Sequence, residues 1–126
     1  MTSDQLTILG SQVRGSITAR EIERVPAADG IGRVEIRTAE LSAMCPVTSH
    51  PDIYRATITY WPGKWCAESK ALKYYLTSFR DVGIFAEDLA PRIARELKDA
   101  IDAAEVEVTL VQQIRGGLEI TVHAHI

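Results

Sequence analysis

Between Arg33 and Glu40 the side chains change character at every step, with Val34, Ile36, Thr38 and Glu40 set against Glu35, Arg37 and Ala39. That period of two predicts a strand. The segment Ile53-Tyr-Arg-Ala-Thr-Ile-Thr-Tyr-Trp61 repeats it and is rich in β-branched and aromatic residues. The two are expected to pair antiparallel, joined from Cys45 to Asp52 by a loop longer than a tight hairpin. The period then lengthens. Leu72, Tyr75, Leu76 and Phe79 fall at helical spacing, with Ser69 as N-cap or first-turn residue and Gly83 as a stop. A second helix is predicted from Asp88 to Ala104, with Leu89, Ile93, Leu97, Ala100 and Ile101 on one face and Pro91 in its first turn. Val106, Val108, Leu110 and Gln112 alternate again, as do Leu118, Ile120, Val122 and Ala124. The Arg115-Gly116-Gly117 between them reads as a hairpin turn.

The predicted order is strand, strand, helix, helix, strand, strand. It describes an α+β fold, a four-stranded antiparallel sheet with two helices on one face. One sheet face and both edges are left open, which favours association of copies into a ring, so a homo-oligomer is expected. With 126 residues, 46% of them hydrophobic, the chain suits one domain: an N-terminal arm over residues 1–32, without firm period, and a core over 33–126. Fourteen Lys and Arg against seventeen Asp and Glu give a net charge of −3, which argues against a nucleic-acid surface and for a small-molecule substrate. Two cysteines make no disulfide framework, the N-terminus lacks a signal-peptide pattern, and no apolar run approaches the roughly 20 residues that span a bilayer. A cytoplasmic protein with no membrane partner is expected.

Chemistry concentrates in Met44-Cys-Pro-Val-Thr-Ser-His-Pro-Asp52 and in Glu68-Ser-Lys-Ala-Leu-Lys-Tyr-Tyr75. A thiol, a nearby acid and a basic helix start are the equipment for nucleophilic attack on an electrophilic carbon with proton delivery beside it. Each residue also has a plainer reading. A cysteine alone is most simply a small buried residue, which remains the preferred reading for Cys66. Pro-Asp is a common turn pair, Lys70 and Lys73 at i, i+3 suit a solvated helix face, and acidic Glu87 and Asp88 suit a helix N-terminus. The spacing of Cys45 to Asp52 together with the downstream segment favours the chemical reading for Cys45. Its reactivity needs a depressed thiol pKa, for which Lys70 and the start of the first helix are the candidates. Cys45, Cys66, His50, His123 and His125 lack close zinc-ligand pairing, so no metal is expected.

With Ser78-Phe79-Arg80 leading into Phe85-Ala86-Glu87-Asp88, these segments resemble the QueF family over roughly residues 33–120. Its members are NADPH-dependent nitrile oxidoreductases that reduce 7-cyano-7-deazaguanine to 7-aminomethyl-7-deazaguanine in queuosine biosynthesis. The resemblance implies the tunnelling fold, whose ββααββ units assemble into barrels with active sites between subunits. It implies that Cys45 adds to the nitrile carbon to give a thioimide, that Asp52 protonates the nitrile nitrogen, and that Glu87 anchors the purine-like ring, with Glu68 and Ser69 also touching substrate. Lys70, Lys73, Arg80, Arg115 and Gly116 are implied for the NADPH site. The family usually carries His immediately before the anchoring glutamate, where this chain has Ala86; His50 is the imidazole expected to stand in as proton relay. Two alternatives stay open. One is an amidinotransferase-like relative that lets ammonia attack the same thioimide, and the other is a non-reducing deazapurine-binding protein. The intact Glu68–Tyr75 segment speaks against the first and the Cys45–Asp52 pairing against the second.

Overall fold

The computed structural model describes residues 21–126, so most of the expected N-terminal arm, residues 1–20, lies outside the described residues. In chain order the elements are β1 (Arg24–Pro26), β2 (Val34–Met44), β3 (Pro51–Trp61), β4 (Trp65–Ala67), α1 (Ser69–Thr77), a 3-10 turn (Ser78–Asp81), α2 (Ala86–Ile101), β5 (Glu105–Arg115) and β6 (Leu118–His125). Strands β2, β3, β5 and β6 form one antiparallel sheet in that order, and β1 pairs with β4 in a small second sheet. The predicted ββααββ core is therefore present, with the helices lying against one face.

The inward face of β3 carries Tyr54, Ala56, Ile58 and Tyr60, and that of β5 carries Val106, Val108 and Leu110, all buried. Leu89, Ile93, Leu97 and Ile101 of α2 close over them with no exposed surface. Each such side chain withdrawn from water contributes about 1.5–3 kcal/mol, so this layer holds the domain together. β2 changes phase to join it. Val34, Ile36 and Thr38 face the helices, a register shift intervenes between Thr38 and Leu41, and the inward positions become Leu41 and Ala43. That bulge turns Glu40 out of the pattern the sequence suggested and sets Ala43 opposite Asp52 of β3. The strand end leading to Cys45 is thereby aimed at the helix side.

Helix α1 is capped by Glu68 rather than Ser69, the Glu68 carboxylate accepting from the Ala71 N–H at 2.8 Å. α2 begins two residues earlier than predicted, at Ala86, because the Phe85 carbonyl already accepts from the Asp88 and Leu89 amides (3.0 and 2.9 Å). Pro91 consequently sits inside the helix rather than in its first turn, and its missing N–H frees the Glu87 carbonyl. The helix ends at Ile101, short of Ala104, because Asp102 takes the left-handed conformation (φ 53°) and its N–H donates to the Lys98 carbonyl. The β5–β6 turn is the two-residue hairpin expected: Gly116 and Gly117 both hold positive φ (60° and 83°), which a Cβ would resist. No helix among the described residues is long and apolar enough to cross a membrane.

Candidate active site

Cys45 follows the last residue of β2 and is held by its own backbone. Its N–H donates to the His50 carbonyl at 2.8 Å and its carbonyl accepts from the Ser49 N–H at 2.9 Å, closing residues 45–50 into a tight loop. The loop forces Ser49 into the left-handed region (φ 61°), an arrangement that costs a residue with a Cβ about 1–2 kcal/mol. One residue back, the Met44 N–H donates to the Val82 carbonyl (2.8 Å) and the Met44 carbonyl accepts from the Ile84 N–H (3.0 Å). The linker between the helices is thus tied to the strand that presents the thiol, which brings the start of α2 towards it.

The thiol pKa is lowered, first by the Thr48 hydroxyl and then by the backbone amides of Thr48 and Val47, while burial and the Asp52 carboxylate oppose the shift. These donors form a small cradle for a thiolate. They belong to the cysteine's own loop and replace the expected Lys70 and α1 N-terminus, because the turn after Cys45 brings two N–H groups and a hydroxyl back to its sulfur. Thr48 was legible only as part of the Cys-Pro-Val-Thr segment, with no role attached.

Asp52 is almost fully buried, at 3% exposure, and is ion-paired with the half-exposed Arg115 guanidinium, which reaches it from the end of β5. Arg115, assigned on resemblance to the cofactor, therefore stands beside the proposed acid. Gly116 next to it forms the hairpin tip. Two residues along β3, on the same inward face as Asp52, lies Tyr54, which the sequence reading did not single out. Its hydroxyl is buried and has no hydrogen-bond partner among the described residues. Burial pushes its pKa up to about 12, reinforced by the charges of Asp52, Glu87 and Cys45 and opposed by Arg115. Tyr54 thus reports one neighbourhood containing Cys45, Asp52, Glu87 and Arg115. A buried hydroxyl without a partner costs about 1–3 kcal/mol, and such groups are rare enough in folded proteins to call for a reason. Glu87 is exposed on the first turn of α2, whereas Ala86 beside it is buried and turns only a methyl group inwards. His50 is exposed; its carbonyl holds Cys45, its N–H donates to the Thr48 hydroxyl at 3.2 Å, and its ring has no hydrogen-bond partner among the described residues.

A second group lies apart from the first, along β2, an edge strand among the described residues. A cavity of about 400 Å³ opens between β2 and α1, walled by Val34, Ile36, Leu41, Leu72 and Leu76 and lined at its polar positions by Ser69, Lys73, Thr77 and Arg80, with the Glu40 carboxylate on the β2 side. Two cations above an apolar wall match what a nicotinamide dinucleotide requires, charge for its phosphates and a dry surface for its rings, in a volume usual for ligand clefts. Lys70 is exposed at the start of α1 and does not line this cavity, and the Glu68 carboxylate is engaged in the helix cap. Cys66 is half-buried and packs against the core, in keeping with its structural reading. Among the described residues no group of three or more His, Cys, Asp or Glu is placed to hold a metal ion.

Residues 51–126 match the family of QueF-like proteins. Proteins named NADPH-dependent 7-cyano-7-deazaguanine reductase are similar to this chain. That of Thermotoga petrophila is 44% identical over 89 residues, 70% of this chain and 65% of its own length. Its counterpart in Ruegeria sp. is 41% identical over 118 residues, 90% and 77% of the two chains, and that in Caulobacter vibrioides is 37% identical over 126 residues, 97% and 83%. This chain thus spans just under two thirds of the Thermotoga relative's length. The crystal structure of an archaeosine synthase QueF-Like in the apo form superposes with a TM-score of 0.72 at 24% identity, covering 77% of this chain and 95% of that one, and so shares the tunnelling fold. On the family match across residues 51–126 and an identity of 41% to a relative of which it covers 77%, this chain belongs to the QueF family.

Proposed function

We propose that this chain reduces the nitrile of 7-cyano-7-deazaguanine to the primary amine with NADPH, in queuosine or related deazapurine biosynthesis. The observation that carries the reading is a cysteine with a depressed thiol pKa beside a buried, Arg-paired aspartate, with a carboxylate on the neighbouring helix turn. The sulfur attacks the nitrile carbon, forming an S–C bond as one C–N π bond breaks towards nitrogen. The thiol proton passes to Asp52 and from there to that nitrogen, which leaves a neutral thioimide. Arg115 holds the Asp52 side chain in the orientation this transfer needs, and Glu87 accepts hydrogen bonds from the ring N–H groups of the deazaguanine. His50, on the solvent side of the loop, is the route by which further protons return from water.

Reduction of a nitrile to an amine takes two hydrides and two protons, and NADPH bound in the β2-edge cavity supplies the hydrides. Lys73 and Arg80 would hold its phosphates there, with Lys70 exposed outside the lining on the first turn of α1. Ser69, exposed at the cavity mouth, and Glu68, behind it, border the substrate. Covalent tethering through Cys45 keeps the half-reduced species in place. The reaction suits a reducing cytoplasm, where the thiol survives. Among the described residues β2 and β6 are the edge strands of the sheet, and Ile53 and Ile114 are large apolar side chains exposed at 44% and 60%. These features favour a homo-oligomeric barrel with active sites between subunits.

The decisive experiment mixes the protein with 7-cyano-7-deazaguanine and follows near-ultraviolet absorbance and intact mass. The wild type is expected to gain an adduct that Cys45→Ala abolishes; an adduct that persists in the variant overturns the assignment of the nucleophile. Addition of NADPH should then yield the amine, whereas an amidine formed on addition of ammonia, with no turnover of NADPH, would replace reduction with the transferase reading.

A further inference from the structure

Tyr54 is the one buried side chain among the described residues whose polar atom has no hydrogen-bond partner. It is not an accident of the surface, since only 1% of the residue is exposed. Its place in the fold is set by strong constraints. Tyr54 pairs with Leu41 across the β2–β3 ladder and with Gln112 across β3–β5, and it shares the helix-facing side of β3 with Asp52 two residues earlier. A phenylalanine there would fill the same volume without stranding a hydroxyl. Core packing therefore explains the ring and leaves the oxygen unexplained.

The charges that act on this oxygen are those of Asp52, Glu87, Cys45 and Arg115, the four groups assigned above to the chemistry. A ligand reaching from the sulfur of Cys45 to the carboxylate of Glu87 must cross the space these groups share. Of the neighbouring positions named above, Ala86 presents a methyl group, the His50 ring faces solvent, and Arg115 is engaged by Asp52.

We propose that Tyr54 is a further catalytic residue, its hydroxyl donating a hydrogen bond to the substrate nitrogen as that nitrogen gains electron density during attack by Cys45. The inference rests on the nitrile-reductase reading. A phenol in this environment stays protonated throughout the neutral range, so it acts as a fixed donor that stabilises developing charge, while the proton that is transferred travels through Asp52. Bonding in the transition state gives the stranded hydroxyl the partner it lacks in the protein alone.

The test is Tyr54→Phe, which keeps the ring and removes only the oxygen. Three quantities are measured on wild type and variant: the thermal midpoint, the first-order rate constant for adduct formation with saturating 7-cyano-7-deazaguanine in the absence of NADPH, and its dependence on substrate concentration. The expected result is a midpoint equal to or above that of the wild type, since an unsatisfied hydroxyl has been removed, with a rate constant lower by about 10². The loss should fall on the rate constant more than on half-saturation. Wild-type rates in Tyr54→Phe would overturn the proposal, as would a lowered midpoint accompanied by a proportionate loss of adduct-competent protein, which marks a structural role. If the wild type itself forms no adduct, the reductase reading fails and this inference fails with it.

Discussion

The Cys45 loop and the β2-edge cavity are both polar sites on one sheet, yet they are built in opposite ways. Around Cys45 the groups are held by their own strand and loop: Asp52 is buried against Arg115, the thiol rests on Thr48 and two amides, and Tyr54 is enclosed with its hydroxyl unpartnered. Along β2 the polar groups stand on the rim, with exposed Ser69, Lys73, Thr77 and Arg80 over an apolar wall. The first arrangement suits a reaction, because groups that stabilise a transition state must already be oriented and dry. The second suits a large, charged, exchangeable ligand, and long flexible cations serve that purpose at little cost in stability.

That contrast is broken most sharply at Arg115. Arg115→Ala strands a buried carboxylate, which should lower the stability by about 1–3 kcal/mol in a denaturant titration. It should also slow thioimide formation without NADPH by about ten- to a hundredfold. If adduct formation and stability are unchanged and only the KM for NADPH rises, Arg115 belongs to the cofactor region and the two sites merge.

At the cavity the expected effect is smaller and confined to the cofactor. Lys73→Ala and Arg80→Ala should each raise the KM for NADPH by about tenfold, the worth of one charge-assisted contact of roughly 1.4 kcal/mol, while adduct formation without NADPH proceeds at the wild-type rate. Lys70→Ala should change KM less than Lys73→Ala, because Lys70 lies outside the cavity lining. Equal effects of the two lysines would mean that the phosphates lie along the exposed first turn of α1 instead.

The same contrast explains what could be read in the chain beforehand. Element order and core were legible because burial imposes a period: Val106, Val108 and Leu110 alternate, and Leu89, Ile93 and Leu97 recur at helical spacing. The bulge between Thr38 and Leu41 was not legible, since Glu40 continues the alternation on paper and only the pairing of Leu41 with Tyr54 reveals the change of phase. Boundaries set by backbone caps, at Phe85 and Asp102, were displaced for the same reason: neither side chain announces the carbonyl or left-handed turn that does the work. In the candidate site, Cys45 and Asp52 stand out in the chain by spacing and resemblance. Tyr54 was hidden because an aromatic at an inward strand position is what packing alone would choose, and Arg115 took a partner from a strand 63 positions away.

A third measurement concerns the cradle under the thiol. Because the Cys45 pKa is depressed, the thiolate is present at lower pH than for a free cysteine, and removing a donor must move the titration upwards. Thr48→Val should therefore shift the pH profile of Cys45 alkylation to higher pH and slow alkylation at neutral pH, with the two amides still in place. A profile that does not move would assign the depression to the amides alone.

The smallest effect is expected at His50. Its carbonyl fixes the Cys45 N–H and its own N–H meets Thr48, contacts that any residue at this position can supply. Its ring is exposed, so as a proton relay it works in competition with water, unlike a general acid locked beside its substrate. A positioned acid is worth about 10² to 10⁴ in rate, whereas His50→Ala should reduce turnover by less than about tenfold. Adduct formation, whose proton comes from the thiol, should be nearly unaffected. Steady-state turnover and single-turnover adduct rates across pH 6 to 9 separate the two steps. A loss of a hundredfold or more in both would place the imidazole inside the catalytic group with Asp52, and would show that the loop closes over the thiol when substrate binds.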